Sequence, residues 1–239
     1  MAITHGASSE ASMGSPSSTP RTWSHDPGGG STPDWVLVFA FTYNTETDDI
    51  TTVSYDGVSL AAVSGGFATT GAAGERGTCK AYFAASGGWG AGAKTVSVSA
   101  QGGVTFYAIA ISGTGSNAEV HTPGIVLLSG VIALAEQNVT DGSPGTNSLR
   151  YAATHHGVSG APNPGVNSTA LQDHAIVTPI TIDMSAVRET TAGQGSRPVG
   201  YSVGAADDVA AVHLAVREIP ALPASQAIVV GVSSSSTGG

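Results

Sequence analysis

The chain has 239 residues, enough for one large all-β domain or two small ones with a substantial core. Hydrophobic residues make up 41%, which excludes wholesale disorder, and charged residues only 10%, well under the usual share in soluble domains. Net charge is −9, and the eight cations are scattered as Arg21, Arg76, Lys80, Lys94, Arg150, Arg188, Arg197 and Arg217, which excludes the basic footprint needed to bind nucleic acid or an anionic membrane.

Residues 1–18 are rich in Ser, Gly and Ala, with Pro16, and are expected to form a flexible N-terminal arm. Met1-Ala2-Ile3-Thr4-His5-Gly6 lacks the basic region and apolar run of a signal peptide, so the product is expected to begin in a cytoplasm. Arg21-Thr22-Trp23-Ser24-His25 reads as a first strand, followed by the Gly- and Pro-rich loop 26–33. The stretch from Trp35 to Tyr43 is the clearest strand in the chain. Trp35, Leu37, Phe39, Phe41 and Tyr43 alternate with Val36, Val38, Ala40 and Thr42, so both faces are apolar or small and both should be covered by protein.

A hairpin follows. Ile50 to Tyr55 and Val58 to Val63 flank Asp56-Gly57, the pair of residues that accepts positive φ at both centres of a type I′ turn, and the turn pairs Tyr55 with Val58. Residues 65–77 read as a loop, and Thr78 to Phe83, Lys94 to Ser99 and Val104 to Ile111 as further strands, the last apolar on both faces. Cys79 lies within the first of these. As the single cysteine it excludes an intrachain disulfide and a cysteine-rich zinc site, and is expected to be a small core residue. Short strands separated by Gly-rich turns point to a sandwich or barrel.

Residues 112–200 are expected to be a loop-rich insertion. Within it, 124–135 fits either a buried strand pair or a short helix, Ser148 to Thr154 fits a strand, and Pro179 breaks the run His174 to Ile182 in a way that suits an edge. The run Ile125 to Ala135 contains Ser129 and Gly130 and is about half of the ~20 residues needed to span a membrane. Val209 to Ile219 fits both templates, and the need for a closing strand decides for strand. The expected division is an arm at 1–18, a sandwich domain at 19–219 and a tail at 220–239. The apolar hexamer Ala227 to Val232 lies in that tail and needs a partner strand.

The order of several motifs is familiar: Trp23-Ser24-His25, Val36-Leu37-Val38-Phe39, Val53-Ser54-Tyr55-Asp56-Gly57-Val58-Ser59-Leu60, Ala81-Tyr82-Phe83-Ala84-Ala85, Lys94-Thr95-Val96-Ser97-Val98 and His213-Leu214-Ala215-Val216. It resembles a diffuse group of β-sandwich proteins common in tailed-phage genomes, over roughly residues 20–111 and 205–219. These are packing motifs without a catalytic signature. The resemblance implies an antiparallel β-sandwich, jelly-roll or immunoglobulin-like, with extended arms at both ends. It also implies a role in the virion as a capsid decoration (cement) protein or a tail accessory module. Partners would be other virion proteins, copies of itself and, for a tail module, a host glycan. A carbohydrate-binding module or serine esterase is the reading from another class.

The residues that carry chemistry elsewhere do not converge here. Gly200-Tyr201-Ser202-Val203-Gly204 matches the G-x-S-x-G elbow, but only Asp207, Asp208 and His213 follow it, too close to supply both acid and base. His155-His156 and Asp173-His174 have metal-ligating side chains, yet neighbours on a strand point to opposite faces. Asp48-Asp49, Asp56 and Asp207-Asp208 are turn residues, and calcium ligands only if loops converge. Ser24-His25-Asp26 is contiguous, so its side chains diverge. Trp89 and Tyr107 are candidates for sugar stacking or for core anchoring. On this reading the chain has no catalytic residue, no cofactor and no metal.

Overall fold

The computed structural model describes residues 3–11, 20–71, 76–85, 88–102, 104–115, 117–142, 147–157, 162–176, 182–202 and 206–219. In chain order the strands are β1 (Thr4–Glu10), β2 (Arg21–His25), β3 (Trp35–Tyr43), β4 (Ile50–Tyr55), β5 (Val58–Ser59), β6 (Ala61–Thr69), β7 (Gly77–Ala85), β8 (Lys94–Ala100) and β9 (Thr105–Thr114). They continue with β10 (Ala118–Val120), β11 (Val126–Ala133), β12 (Gln137–Thr140), β13 (Ser148–His156), β14 (Asn163–Pro164), β15 (Ser168–Ile176), β16 (Ile182–Glu189), β17 (Ser196–Val199), β18 (Tyr201–Ser202) and β19 (Ala206–Glu218). One 3₁₀ turn, Thr122–Gly124, precedes β11.

The fold is an all-β sandwich of antiparallel sheets, as the alternation of the chain implies. A five-stranded sheet in the order β1-β9-β3-β7-β6 packs against a six-stranded sheet in the order β10-β19-β13-β16-β15, with β11 beside β10 on the same flank of β19. Leu37, Phe39, Phe41, Tyr107, Ile109 and Ile111 from the first meet Tyr151, Met184, Val212 and Leu214 from the second. Each such buried side chain contributes roughly 1.5–3 kcal/mol.

Each sheet is also covered on its far side, which explains the strands that are apolar on both faces. Val36, Val38, Ala40, Ala108 and Ala110 look away from the central core and pack on Val53, Tyr55, Val96 and Val98 of a four-stranded sheet, β2-β8-β4-β5. Ala152, Val187, Ala211 and Ala215 look out from the six-stranded sheet and are roofed by Val139, Val199 and Tyr201. That roof consists of two ribbons, β12-β17 and β14-β18. All nine residues of β13 are buried as a result.

The hairpin forms as expected: Asp56 and Gly57 have φ of 50° and 77°, and Tyr55 pairs with Val58. Its second strand, however, is only β5. At Leu60 the chain leaves the four-stranded sheet, and β6 pairs with β7 in the five-stranded one. Part of the expected loop 65–77 is therefore strand. Gly65, at φ 77°, lies within the register break between Ala62 and Phe67 that lets β6 continue.

Two further expectations are corrected. The N-terminal segment is extended but not free, because β1 lies along β9 as an edge strand. The stretch 112–200 is not loop-rich. It carries β10 to β17, including five strands of the six-stranded sheet, β10, β11, β13, β15 and β16. Within it β11 is a strand with alternate side chains exposed rather than a buried pair or a helix. Val209 to Ile219 is strand, as context required, and β19 is central to its sheet. The tail 220–239, with its hexamer, and Pro179 lie outside the described residues.

Candidate functional site

Among the described residues, buried polar side chains gather in three main groups. The largest group surrounds Arg150, on the roofed face of β13. Its Nε donates to the Val139 carbonyl at 2.8 Å, and Nη1 donates to Glu189 Oε1 at 3.0 Å and to the Gly193 carbonyl at 3.0 Å. Nη2 reaches Asp141 Oδ2 at 3.4 Å and the Gly195 carbonyl. Glu189 also accepts from Arg197 Nε at 3.2 Å and from the Arg150 amide at 2.9 Å. Burial pushes the Glu189 carboxyl up, and Arg150 and Arg197 oppose that shift. The Arg150 and Glu189 side chains are 0% and 2% exposed, so the centre of the network is closed to solvent, with Arg197 at its rim. Every donor of the guanidinium is used, chiefly to hold the segments 139–141 and 193–195 on the sheet.

The second group is centred on His25. Its Nδ1 meets Ser9 Oγ at 2.7 Å and its Nε2 meets Ser112 Oγ at 2.8 Å, while Trp23 Nε1 donates to Ser9 at 2.9 Å. One imidazole thus ties β1, β2 and β9 together. Ser24 is exposed, and Asp26 accepts from the Gly28 amide at 2.9 Å, so the contiguous trio diverges as expected. Burial lowers the His25 pKa to about 4, with Asp26 opposing.

The third group lies where β13 ends and β16 and β19 begin. His155 and His156 point to opposite faces. His155 turns into the central core over Gly77, where a Cβ would lie 2.2 Å from the ring. His156 stands across from Asp183 on one side and Val209 on the other. Asp183 is fully buried, and burial raises its pKa to about 7, with the Ser185 hydroxyl opposing and Asp173 adding to the rise. His213 sits beneath Gly200, whose added Cβ would lie 3.0 Å from Nε2. The ring nitrogens of His155 and His156 have no hydrogen-bond partner among the described residues, and Asp183 and His213 have only loose contacts, with the Ser185 hydroxyl and the Val126 backbone. Such groups persist in a core chiefly as neutral species or on ordered water. No three His, Cys, Asp or Glu among the described residues are placed to share a metal ion.

The remaining candidates are separated. Tyr201 and Ser202 form β18, paired with Asn163 and Pro164, and β19 follows at Ala206, so the strand-to-helix setting of a nucleophile elbow is missing. Val203 and Gly204 lie outside the described residues. Ser202 edges a shallow groove of about 270 Å³ that also contains Glu136. The Glu136 carboxylate is occupied by the Asn167 amide at 2.8 Å, Asn167 Nδ2 at 2.9 Å and Ser168 Oγ at 3.1 Å. Asp49 accepts from Thr45 and Thr47 at 2.7 Å, Asp48 pairs with Lys80, and Asp56 lies 3.6 Å from Lys94. Asp207 and Asp208 are on β19, away from these turns in the chain. Cys79 is fully buried in the central core, which pushes its thiol pKa up.

Trp89 is buried, edge-on to Tyr55 with centroids 5.2 Å apart, and Tyr107 is buried against His174 at 4.8 Å. Both anchor the core, and neither presents a ring face to a sugar. The large apolar side chains that do face solvent are Val58 on β5, Leu127 and Val131 on β11, Val166, and Ile219 just after β19. β5 and β11 are edge strands. Among the described residues no helix is long and apolar enough to cross a membrane.

The Arg150 network was missed by sequence reasoning, which saw only one scattered cation. A lone arginine inside the apolar run Ser148 to Thr154 was the available signal. Comparison with family models, with curated proteins and with solved structures finds no match.

Proposed function

We propose that this chain is a non-enzymatic structural subunit of a bacteriophage virion, a capsid decoration protein that reinforces the shell through contacts between subunits. The observation that carries this reading is the division of labour among its side chains. The Arg150 and His25 groups are turned inward and hold strands together, and among the described residues three of the five exposed large apolar side chains, Val58, Leu127 and Val131, sit on the edge strands β5 and β11. Edge strands offer unpaired backbone groups and are natural places for another chain to add. The low charge of the chain and the motif order from Trp23 to Val216 support the same reading. The mechanism is burial of apolar and backbone surface at those edges.

Mass spectrometry of purified particles tests it directly. The chain should be present in many copies per particle, and immunogold should label the head. Particles without this chain would end the proposal, and label confined to the tail would replace decoration with a tail accessory role.

A further inference from the structure

β1 is an unusual edge strand. It pairs with one neighbour only, β9, from Thr4 opposite Thr114 to Glu10 opposite Ile109, with a register break between His5 and Ser8. Its own residues, Thr4 to Glu10, include no large apolar side chain. Buried apolar anchors lie only at its ends, Ile3 and Ala11. Everything else that holds it is polar and comes from four other elements. Thr4 Oγ1 lies 2.5 Å from Thr114 Oγ1, and His5 Nδ1 lies 3.3 Å from the Tyr151 hydroxyl. Ser9 serves His25 and Trp23, Glu10 accepts from the Tyr107 hydroxyl, and Gln172 Nε2 donates to Ser8 Oγ at 3.3 Å.

The slot that receives β1 is demanding. Without the strand, Tyr107 and His25, both fully buried, lose partners, and so does Trp23. Each orphaned donor or acceptor is costly. The slot must therefore be filled, and by a strand with Ser and Glu in adjacent places. The only sequence certain to satisfy it is Ile3 to Ala11 itself. The contacts do not depend on which copy supplies that sequence. β1 is joined to β2 only through residues 12–19, Ser-Met-Gly-Ser-Pro-Ser-Ser-Thr, a length of chain that can reach about 30 Å. What favours a chain's own β1 over that of another copy is their covalent connection, and for a flexible tether of that length the advantage is equivalent to a local concentration of about millimolar. Reciprocal exchange restores the tether within a closed pair, which is why swapping a terminal element is a low-cost route to dimers.

We infer that β1 is an exchangeable strand, and that the slot along β9 takes the β1 of a second copy of this chain. This deepens the assembly reading by naming the partner at one edge, but its test needs no particle.

Two single variants, Thr4→Cys and Thr114→Cys, place thiols at residues that face each other across the β1–β9 pair. Opposed Cα atoms in such a pair lie within disulfide range. The native Cys79 is buried and does not compete. The two purified chains are mixed at high concentration, incubated and oxidised. Exchange predicts a covalent pair at twice the chain mass in the mixture, well above that in either variant alone, and a covalent dimer fraction from the chain carrying both substitutions. Closure of the doubly substituted chain wholly within monomers, with no excess pair in the mixture, would overturn the inference. A labelled peptide of residues 3–11 added to the unmodified chain gives a second measurement. Saturable binding that weakens at least tenfold when its Ser9→Ala form is used agrees with exchange, and absence of binding at millimolar chain opposes it. A chain missing from virions that still exchanges would sink the proposed function and leave this inference standing.

Discussion

Two buried residues illustrate opposite ways of keeping a polar group inside this protein. Arg150 is fully compensated, and truncating it would strand Glu189 and Asp141 in the same closed space. Breaking a buried pair from one side costs about 3–5 kcal/mol, so Arg150→Met should lower the urea midpoint sharply, as followed by tryptophan fluorescence. Asp183 is compensated only in part, by the Ser185 hydroxyl, and burial raises its pKa to about 7 so that it keeps its proton. A carboxyl with a raised pKa adds stability that is complete below its ordinary value, near 3.9, and is lost as pH rises through about 7. Asn carries no such charge. The stability of Asp183→Asn relative to the parent should therefore grow between about pH 4 and 7, by at most about 4 kcal/mol, and level off above. Denaturation midpoints for both chains across that range check it. A difference that does not change with pH would mean that water reaches the carboxylate.

At the level of the strand, the β4–β5 hairpin shows conformation acting without contact. A Cβ on Gly57 meets nothing within 4 Å, yet its φ is 77°. Gly57→Ala should cost about 1 kcal/mol through backbone strain alone, measurable by chemical denaturation. This turn, β3, β8, β9 and β19 were all legible in the sequence, because side-chain alternation records burial on one or both faces. β1 was not legible. In Thr4 to Glu10 nothing alternates, since an edge strand is fixed by its backbone ladder and by distant polar partners such as His25 and Tyr107. The end of β15 was legible, since His174 to Ile176 falls in the run read as suiting an edge, but its start at Ser168 was hidden, in a strand whose register slips between Ala170 and Gln172. Loop-like composition in 112–200 likewise concealed much of the six-stranded sheet beyond β13 and β19, because small residues such as Ala152, Ser185 and Ala186 fill buried strand faces. The Arg150 cluster was out of reach in another way: Asp141, Glu189 and Gly193 approach it only once the roof is folded.

Four of the seven histidines, His25, His155, His156 and His213, are buried, and that makes acid the weak point of the molecule. Burial lowers the pKa of His5, His25 and His213 to about 4 and that of His155 to about 3. His121 and His156 shift the same way, the second opposed by Asp207. A histidine with a lowered folded pKa contributes stability that is whole above its unfolded value of 6.5 and is lost as pH falls toward the folded one. For His213, fully buried in the six-stranded sheet, the interval from 6.5 to about 4 corresponds to about 3 kcal/mol. A few such residues match the 5–15 kcal/mol of a typical domain. Asp183 and Glu189 work in the other direction, but they are two groups against several. The sheets should therefore come apart between pH 6.5 and 4 and gain little above 7. Urea midpoints at pH 4.5, 5.5, 6.5 and 7.5 should fall steeply on the acid side. His213→Gln, which cannot take up a proton, should flatten that fall even if it lowers stability at pH 7.5. Equal midpoints from 4.5 to 6.5 would mean that the imidazoles titrate in place, and that the interior is wetter than its packing implies.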